Sequence, residues 1–438
     1  MTTINIFSAV EPLYFVSKVF GLAGSTSNRN NHRKSVAILY RNDILWSGII
    51  LVNILVFFVS RMVWNFVLNP PDHSSNVIVT TTLSRILLYG ACLVSLVLGA
   101  TVNRRTIAQI LGKISRVDVI LLKNTDPGKV YRRTWLFLFI EVCILITVFG
   151  GIGYYDVYVW GSGYNFIFEI MDDCAHFINV IVTVQLVNFV QLLKHRYKIL
   201  NDQLSEVISR PKPPEINTHN EHVLKEGSNV QTSGIVFQRS AIPVVEEIAN
   251  ANDNTPLQQR IPTKVKRLSL TATRKVHILR VIHSDLYDAA ELVNEKYGFP
   301  LLMELTYDFI DLVSSLYFTM DVVMNSLKEM ATNPDSVHQM LSSIIWAVVC
   351  VVKIVSITST CHTTSVEAQK SAVLIHKLLL EEDLRLETKS ELQQFAAQLS
   401  NTKVEFTAHG FFSVNFALLY GIIEAAATYI IILLQFRS

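Results

Sequence analysis

Apolar residues in this chain gather into long runs, and polar residues are confined mainly to the stretches between them. A bilayer core about 30 Å thick takes roughly 20 apolar residues of helix to cross. Runs of that kind cover Ile44–Leu68, Val77–Val102, Thr134–Tyr155, Asn165–Leu193, Tyr297–Val323 and His338–Thr360, and a seventh covers Gly410–Phe436. The pattern therefore predicts an all-α membrane protein with seven transmembrane helices. No short apolar leader with a small-residue cleavage site precedes the first run. Phe7–Gly24 carries Phe7, Val10, Tyr14, Ser17 and Gly21 at helical spacing and suits a helix lying along the membrane interface.

Between the runs the pattern changes twice. Residues 209–263 hold six of the twelve prolines, are polar and aperiodic, and read as a disordered segment. Beyond them Leu279, Ile282, Leu286, Ala289, Ala290, Val293 and Tyr297 recur every three or four residues, which predicts an amphipathic helical extension over 270–296 that runs into the fifth span. Gly298 and Pro300 mark an expected kink at its membrane entry. Similar stripes follow the fourth span (Lys194–Ile208) and the sixth (Thr363–Leu384), and Leu386–Phe406 adds another amphipathic piece. Stripes need partners, so a helical bundle is expected beside the membrane. The chain thus divides into an N-terminal segment (1–43), spans one to four (44–193), a long loop (194–296), spans five and six (297–360), anchor helices (361–408) and the last span (409–438).

Charge sets the orientation. Of 38 Lys and Arg residues, 33 fall in the N-terminal segment and the second, fourth and sixth connections, and 2 fall on the other side. Positive residues stay on the cytoplasmic side, so the N-terminus is expected inside and the C-terminus outside. That is the reverse of a G-protein-coupled receptor. Composition narrows the class further: half of the residues are hydrophobic, 17% are charged and the mean hydropathy is +0.35. A soluble multidomain enzyme has nearer 25% charge. The net charge of +2 gives no footing for a nucleic-acid partner. Five cysteines without CxxC spacing read as buried reduced thiols.

Candidate chemistry sits inside the spans. Glu169, Asp172, Asp173 and His176 share one face of the fourth span, and Glu304, Asp308 and Asp311 share one face of the fifth. Arg61, Arg85 and Lys353 are counter-charges within reach, and Tyr154, Tyr317 and Trp346 are aromatic candidates for stacking on a ligand. Two readings stand at this point. The acids either pair with the bases and hold the helices in register, or line a wet cavity that takes a polyol or a cationic ligand. His176 with Asp172 and Asp173 has the geometry of a partial metal site, but no second histidine joins them. No metal or cofactor is expected.

The last span holds a row of small residues, Ser413, Ala417, Gly421 and Ala425, followed on nearly the same side by Thr428, Ile432 and Gln435. Such a row serves close helix packing or presents a narrow, partly polar face to a pore. Glu424 borders that face. The C-terminus reads Thr428-Tyr429, five hydrophobic residues, Gln435-Phe436. That arrangement resembles the signature of insect gustatory receptors. Val404–Asn415, the Cys361-His362 pair with Glu367–Lys370, and Glu11–Leu22 are similar to other segments of that family. The likeness is strong over roughly the last 80 residues.

The resemblance implies a tetrameric, ligand-gated, non-selective cation channel in the plasma membrane of sensory neurons, opened by a sugar or bitter tastant. Four copies of the last helix, from one chain or from related subunits, would line the pore, with Gln435, Phe436, Ile431 and Ile432 at the gate and Thr428 and Tyr429 coupling it to neighbours. Glu424 departs from the small residue more usual there. A transporter using the intramembrane acids is the second class, though no internal repeat or pair of broken helices supports it; a G-protein-independent sensor of internal metabolites is another reading. An enzyme finds no nucleophile–base motif.

Overall fold

A computed structural model describes residues 5–23, 33–65, 75–101, 106–123, 126–160, 165–208, 263–326, 334–382 and 384–435. These form eleven helices in order: α1 (Ile6–Ala9), α2 (Glu11–Val19), α3 (Arg33–Val63), α4 (Ser75–Ala100), α5 (Thr106–Leu121), α6 (Pro127–Trp160), α7 (Asn165–Ile208), α8 (Thr263–Ser326), α9 (Pro334–Leu379), α10 (Leu386–Asn401) and α11 (Phe416–Gln435). Only an isolated bridge, Thr407 with Ser413, departs from helix and loop among the described residues. The segment read as disordered, 209–263, lies outside them except for Thr263.

Among the described residues, six helices are long and apolar enough to cross a bilayer: α3, α4, α6, α7, α9 and α11. The fifth expected span lies in α8, which misses the same limits because Glu304, Asp308 and Asp311 interrupt its apolar run. Those carboxylates do not face lipid. They point at α9 and α4, and Lys353 of α9 lies between Glu304 and Asp308, with its Nζ 2.6 Å from Asp308 Oδ1. At the centre stands α7, its most apolar window 72% buried, whereas the corresponding windows of α3 and α6 are 11% buried and leave apolar side chains outward.

Beyond the apolar stretches the helices continue as a bundle. Every residue of the α8 stripe from Leu279 to Tyr297 is buried, against Leu193, Tyr197, Leu200 and Leu204 of α7, Ile375 and Leu378 of α9, and Leu392 and Phe395 of α10. Full burial of each large apolar side chain contributes about 1.5–3 kcal/mol. The stripe therefore finds its partners within one chain. A helix that the run pattern passes over, α5, joins this bundle through Ile107, Ile110, Leu111, Ile114, Val117 and Leu121. Its Asp118 accepts two hydrogen bonds from Arg196 of α7 (3.0 and 2.9 Å) and one from Tyr131 of α6 (3.0 Å).

The structure adds detail at three places that the sequence singles out. The N-terminal helix breaks in two at Val10 and turns Ile6, Ala9, Leu13 and Val16 inward, leaving Phe7 exposed. It is pinned to α3, where Trp46 Nε1 donates to Val19 O (2.8 Å) and Ser47 Oγ donates to Gly21 O (2.8 Å). Gly21 has φ +74°, and a Cβ there would come within 3.1 Å of Ser47 Cα. Next, α8 stays helical through Pro300. The neighbouring Gly298 admits the turn at His409, whose backbone N would lie 3.2 Å from any Cβ added there. Finally, Cys143 is exposed, on the apolar outer side of α6, and is not a buried thiol.

The segment before α11 is locally built. Asn294 of α8 donates to Glu405 O (2.6 Å) and accepts from Thr407 N–H (3.2 Å), clamping it in place. Ser413 donates to the Glu405 carboxylate and stands outside α11, so it drops out of the expected small-residue row. Asn415 caps α11 by accepting from the backbone N–H groups of Ala417 and Leu418.

Candidate functional site: a charged cavity beside the last helix

Between α3, α4, α6, α7, α8 and α9 lies a cavity of about 320 Å³. Seven of the nine ligand candidates line it: Glu169, Asp172, Asp173, His176, Asp311, Arg85 and Trp346. Two do not. Tyr154 is 79% exposed on the outside of α6, on the helical face turned away from the bundle. Tyr317 is fully buried but packs towards α11.

Counter-charges divide the acids. Arg61 of α3 donates to Glu169 (2.6 Å) and lies 3.9 Å from Asp172, and Arg85 of α4 lies 3.4 Å from Asp172. Tyr89 adds a hydrogen bond to Asp172 (2.6 Å). The ion-pairing reading thus describes Glu169 and Asp172 here, as it describes Glu304 and Asp308 with Lys353. Asp311 and Asp173 have no cation among the described residues. Asp311 accepts from Ser84 (2.5 Å), Tyr307 (3.3 Å) and Cys350 (3.3 Å). Asp173 makes no ion pair or hydrogen bond among the described residues and lies against Gly153, where a Cβ would meet its Oδ2 at 3.0 Å.

The aromatic wall is fixed from behind. Trp346 donates through Nε1 to Asp156 (2.6 Å), which also accepts from Ser342 (2.5 Å). Its ring stacks on His176 at 3.9 Å, and His176 Nδ1 hydrogen-bonds Tyr307 Oη (2.8 Å). Asp156, Ser84, Ser342 and Phe318 were not among the sequence candidates. Asp156 was findable, as a lone acid one residue past the expected end of the third span. The hydroxyls and Phe318 leave no signal of their own in a sequence.

The last helix docks on α8 through Ala426 and Ile430 against Val313, and through Leu433 and Leu434 against Tyr317 and Phe318. Phe318 also lines the cavity, so the cluster that holds α11 reaches the cavity wall. The opposite side of α11 is exposed over Glu424, Thr428, Ile431, Ile432 and Gln435. Thr428 spends its hydroxyl on Glu424 O (2.9 Å) within the helix, and Tyr429 is half-exposed with its ring edge-on to Phe309. Phe436 lies outside the described residues.

A model of the 7tm chemosensory receptor family matches residues 10–438. The chain belongs to that family. It is 26% identical over 189 residues to putative gustatory receptor 2a of Drosophila melanogaster, a match spanning 39% of this chain and 43% of that protein. Putative gustatory receptor 28a of the same fly is 30% identical over 189 residues, 41% of each chain. The chain thus spans about two fifths of the length of these relatives. Gustatory receptor for bitter taste 66a aligns across 98% of this chain and 88% of its own, at 23% identity. In fold, the receptor is similar to the olfactory receptor OR5 of the insect Machilis hrabei, with TM-score 0.57 over 98% of this chain and 97% of that one at 12% identity. The receptor is therefore a seven-helix membrane protein of the insect chemosensory class and not an enzyme.

Proposed function

We propose that the receptor is a gustatory, ligand-gated, non-selective cation channel of the plasma membrane of sensory neurons. It works as a tetramer with the N-terminus inside, four α11 helices lining the pore. A small tastant enters the cavity and favours the open arrangement of α11. The observation behind this is the buried cluster that Tyr317 and Phe318 form with Leu433 and Leu434: Phe318 also lines the cavity, so a ligand that moves α8 there moves the last turns of α11. A ligand need favour the open state by only a few kcal/mol over the four sites to shift the population. The exposed side of α11 supports the pore assignment, since an intramembrane Glu424 and Gln435 are costly against lipid and at home against water.

Among tastants, the wall favours a cation. Asp173 and Asp311 have no counter-charge among the described residues, and Trp346 offers an aromatic face for cation–π contact. The relative named for bitter taste agrees with an alkaloid-like ligand. The test is current recording from cells that express the receptor alone, with G-protein signalling blocked. Inward current evoked by protonated amines is expected, and Gln435→Ala should change gating or ion preference. Silence under all amines and sugars, or currents untouched by Gln435→Ala, would overturn the reading.

A further inference from the structure

We infer that a groove between the N-terminal helices and α6 and α7 is a binding site for an anionic phospholipid. The groove, of about 430 Å³, is separate from the tastant cavity and belongs to the end of the molecule where the Lys and Arg residues collect. One wall is α2, through Leu13 and Ser17; the others are α6 and α7, through Phe137, Leu138, Phe189 and Leu192. Volumes of this size hold an organic ligand rather than a few waters.

Its polarity is graded. Deep in the groove the polar groups are already satisfied: Gln185 donates to Ser17 (2.5 Å) and accepts from Tyr297 (2.9 Å), and Asn188 donates to Glu141 (2.9 Å). What remains there for an occupant is apolar. At the other end three basic residues line the groove, Arg133, His195 and Arg196. Asp118 holds Arg196 in a two-pronged pair, whereas Arg133 and His195 have no ionic partner among the described residues and are exposed. An anionic headgroup fits those two, and an acyl chain fits the apolar remainder.

The groove also opens in the right place for a lipid. Phe137 at its mouth is 55% exposed and continues into Leu136, Phe139 and Ile140, an apolar surface of α6 suited to hydrocarbon. An occupant can therefore enter sideways from the bilayer. Basic pockets between helices at the cytoplasmic boundary take anionic headgroups in this manner. Bound there, the lipid would bridge α2 to α6 and α7.

Native mass spectrometry of the full-length receptor, released from nanodiscs of mixed phosphatidylserine and phosphatidylcholine, tests this. Retention of phosphatidylserine over phosphatidylcholine is expected. Arg133→Ala should cut that preference about fivefold, the effect of one basic charge at a membrane surface, and Arg133→Lys should keep it. Thr134→Trp, which fills the groove from one wall, should lower retention of both lipids. A melting temperature for Arg133→Ala equal to wild type in pure phosphatidylcholine separates lost binding from lost folding. Equal retention of the two lipids, or a preference untouched by Arg133→Ala, overturns the proposal. Displacement of the lipid by glycerophosphoserine or inorganic phosphate at equal concentration also overturns it, in favour of a soluble phosphate ligand. None of these outcomes depends on whether the protein conducts ions.

Discussion

The cavity end and the bundle end of this receptor bury polar groups by opposite means. Around the cavity, acids and bases from α3, α4, α6, α7 and α8 meet beside open space, and three carboxylates, Asp156, Asp173 and Asp311, have no cation among the described residues. In the bundle, apolar stripes pack together and polar groups are sealed between them, among them the Asp118–Arg196 pair, Asn201 with Ser371, and His283. Stripes give rigidity with little specificity. Charges beside space give a site that a ligand can complete. The difference suits a molecule whose one end must recognise and whose other end must hold position.

The largest effect expected is at the sealed end. Asp118→Leu strands a fully buried Arg196 and the Tyr131 hydroxyl, and removing one partner of such a pair costs about 3–5 kcal/mol. Thermal unfolding in detergent should show a large loss. The double change Asp118→Leu with Arg196→Met should restore most of it, because the surroundings are apolar. If the double variant is as unstable as the single one, the bundle depends on that ion pair and the contrast with the cavity end fails.

His283 offers a second test of the sealed end. It lies 1% exposed between Tyr197 and Phe395, with ring centroids 5.6 and 5.7 Å away, and its Nδ1 has no hydrogen-bond partner among the described residues. Burial lowers its pKa to about 4 from an ordinary 6.5. The unfolded chain therefore binds the proton first as pH falls, and stability drains away between pH 6.5 and about 4. By pH 5 the loss is on the order of 2 kcal/mol. Denaturation at pH 7 and pH 5 should show it, and His283→Phe should flatten the difference. A pH dependence unchanged in His283→Phe assigns the loss to other groups.

What the sequence told in advance follows the same division. The α8 stripe was legible residue by residue, because a helix buried on one face repeats every three or four positions. The apolar runs gave the spans for a similar reason. The short helix α5 shows the same spacing from Ile107 to Leu121 but lies in a connection too polar to stand out. The cavity was half legible: Glu169, Asp172, Asp173 and His176 fall on one face by spacing alone, and Asp311 and Trp346 join them. Which acid keeps a counter-charge was not legible, since Arg61, Arg85 and Lys353 reach across from other helices. Tyr154 and Tyr317 were misplaced because being aromatic and near a span end says nothing about the direction a side chain faces.

At the cavity end the informative change is Asp173→Asn. With no ion pair to break among the described residues, it should leave the melting temperature within error of wild type. Under the proposed function it should shift the dose dependence for a cationic tastant about tenfold or more, since a hydrogen bond to a charged group is worth roughly 1.5–3 kcal/mol. Asp172→Asn, by contrast, should disturb both stability and response, because Arg61, Arg85 and Tyr89 all meet that carboxylate. If the two variants behave alike, the cavity does not divide into paired and ligand-facing acids.

The smallest effect sharpens the comparison from the rim of the bundle. Lys113 of α5 lies 2.6 Å from Asp288 and 3.8 Å from Asp285 of α8, with a fifth of its side chain exposed and half of the Asp288 side chain in contact with solvent. Water already solvates these charges, so bringing them together contributes about 0.2–1 kcal/mol and less at high salt. Lys113→Ala should lower the melting temperature slightly at low ionic strength and hardly at all in 0.5 M salt. Asp118, five residues along the same helix and on its buried side, should be insensitive to salt. A large, salt-resistant loss in Lys113→Ala would mean that α5 is held by its rim charges and not by its apolar stripe.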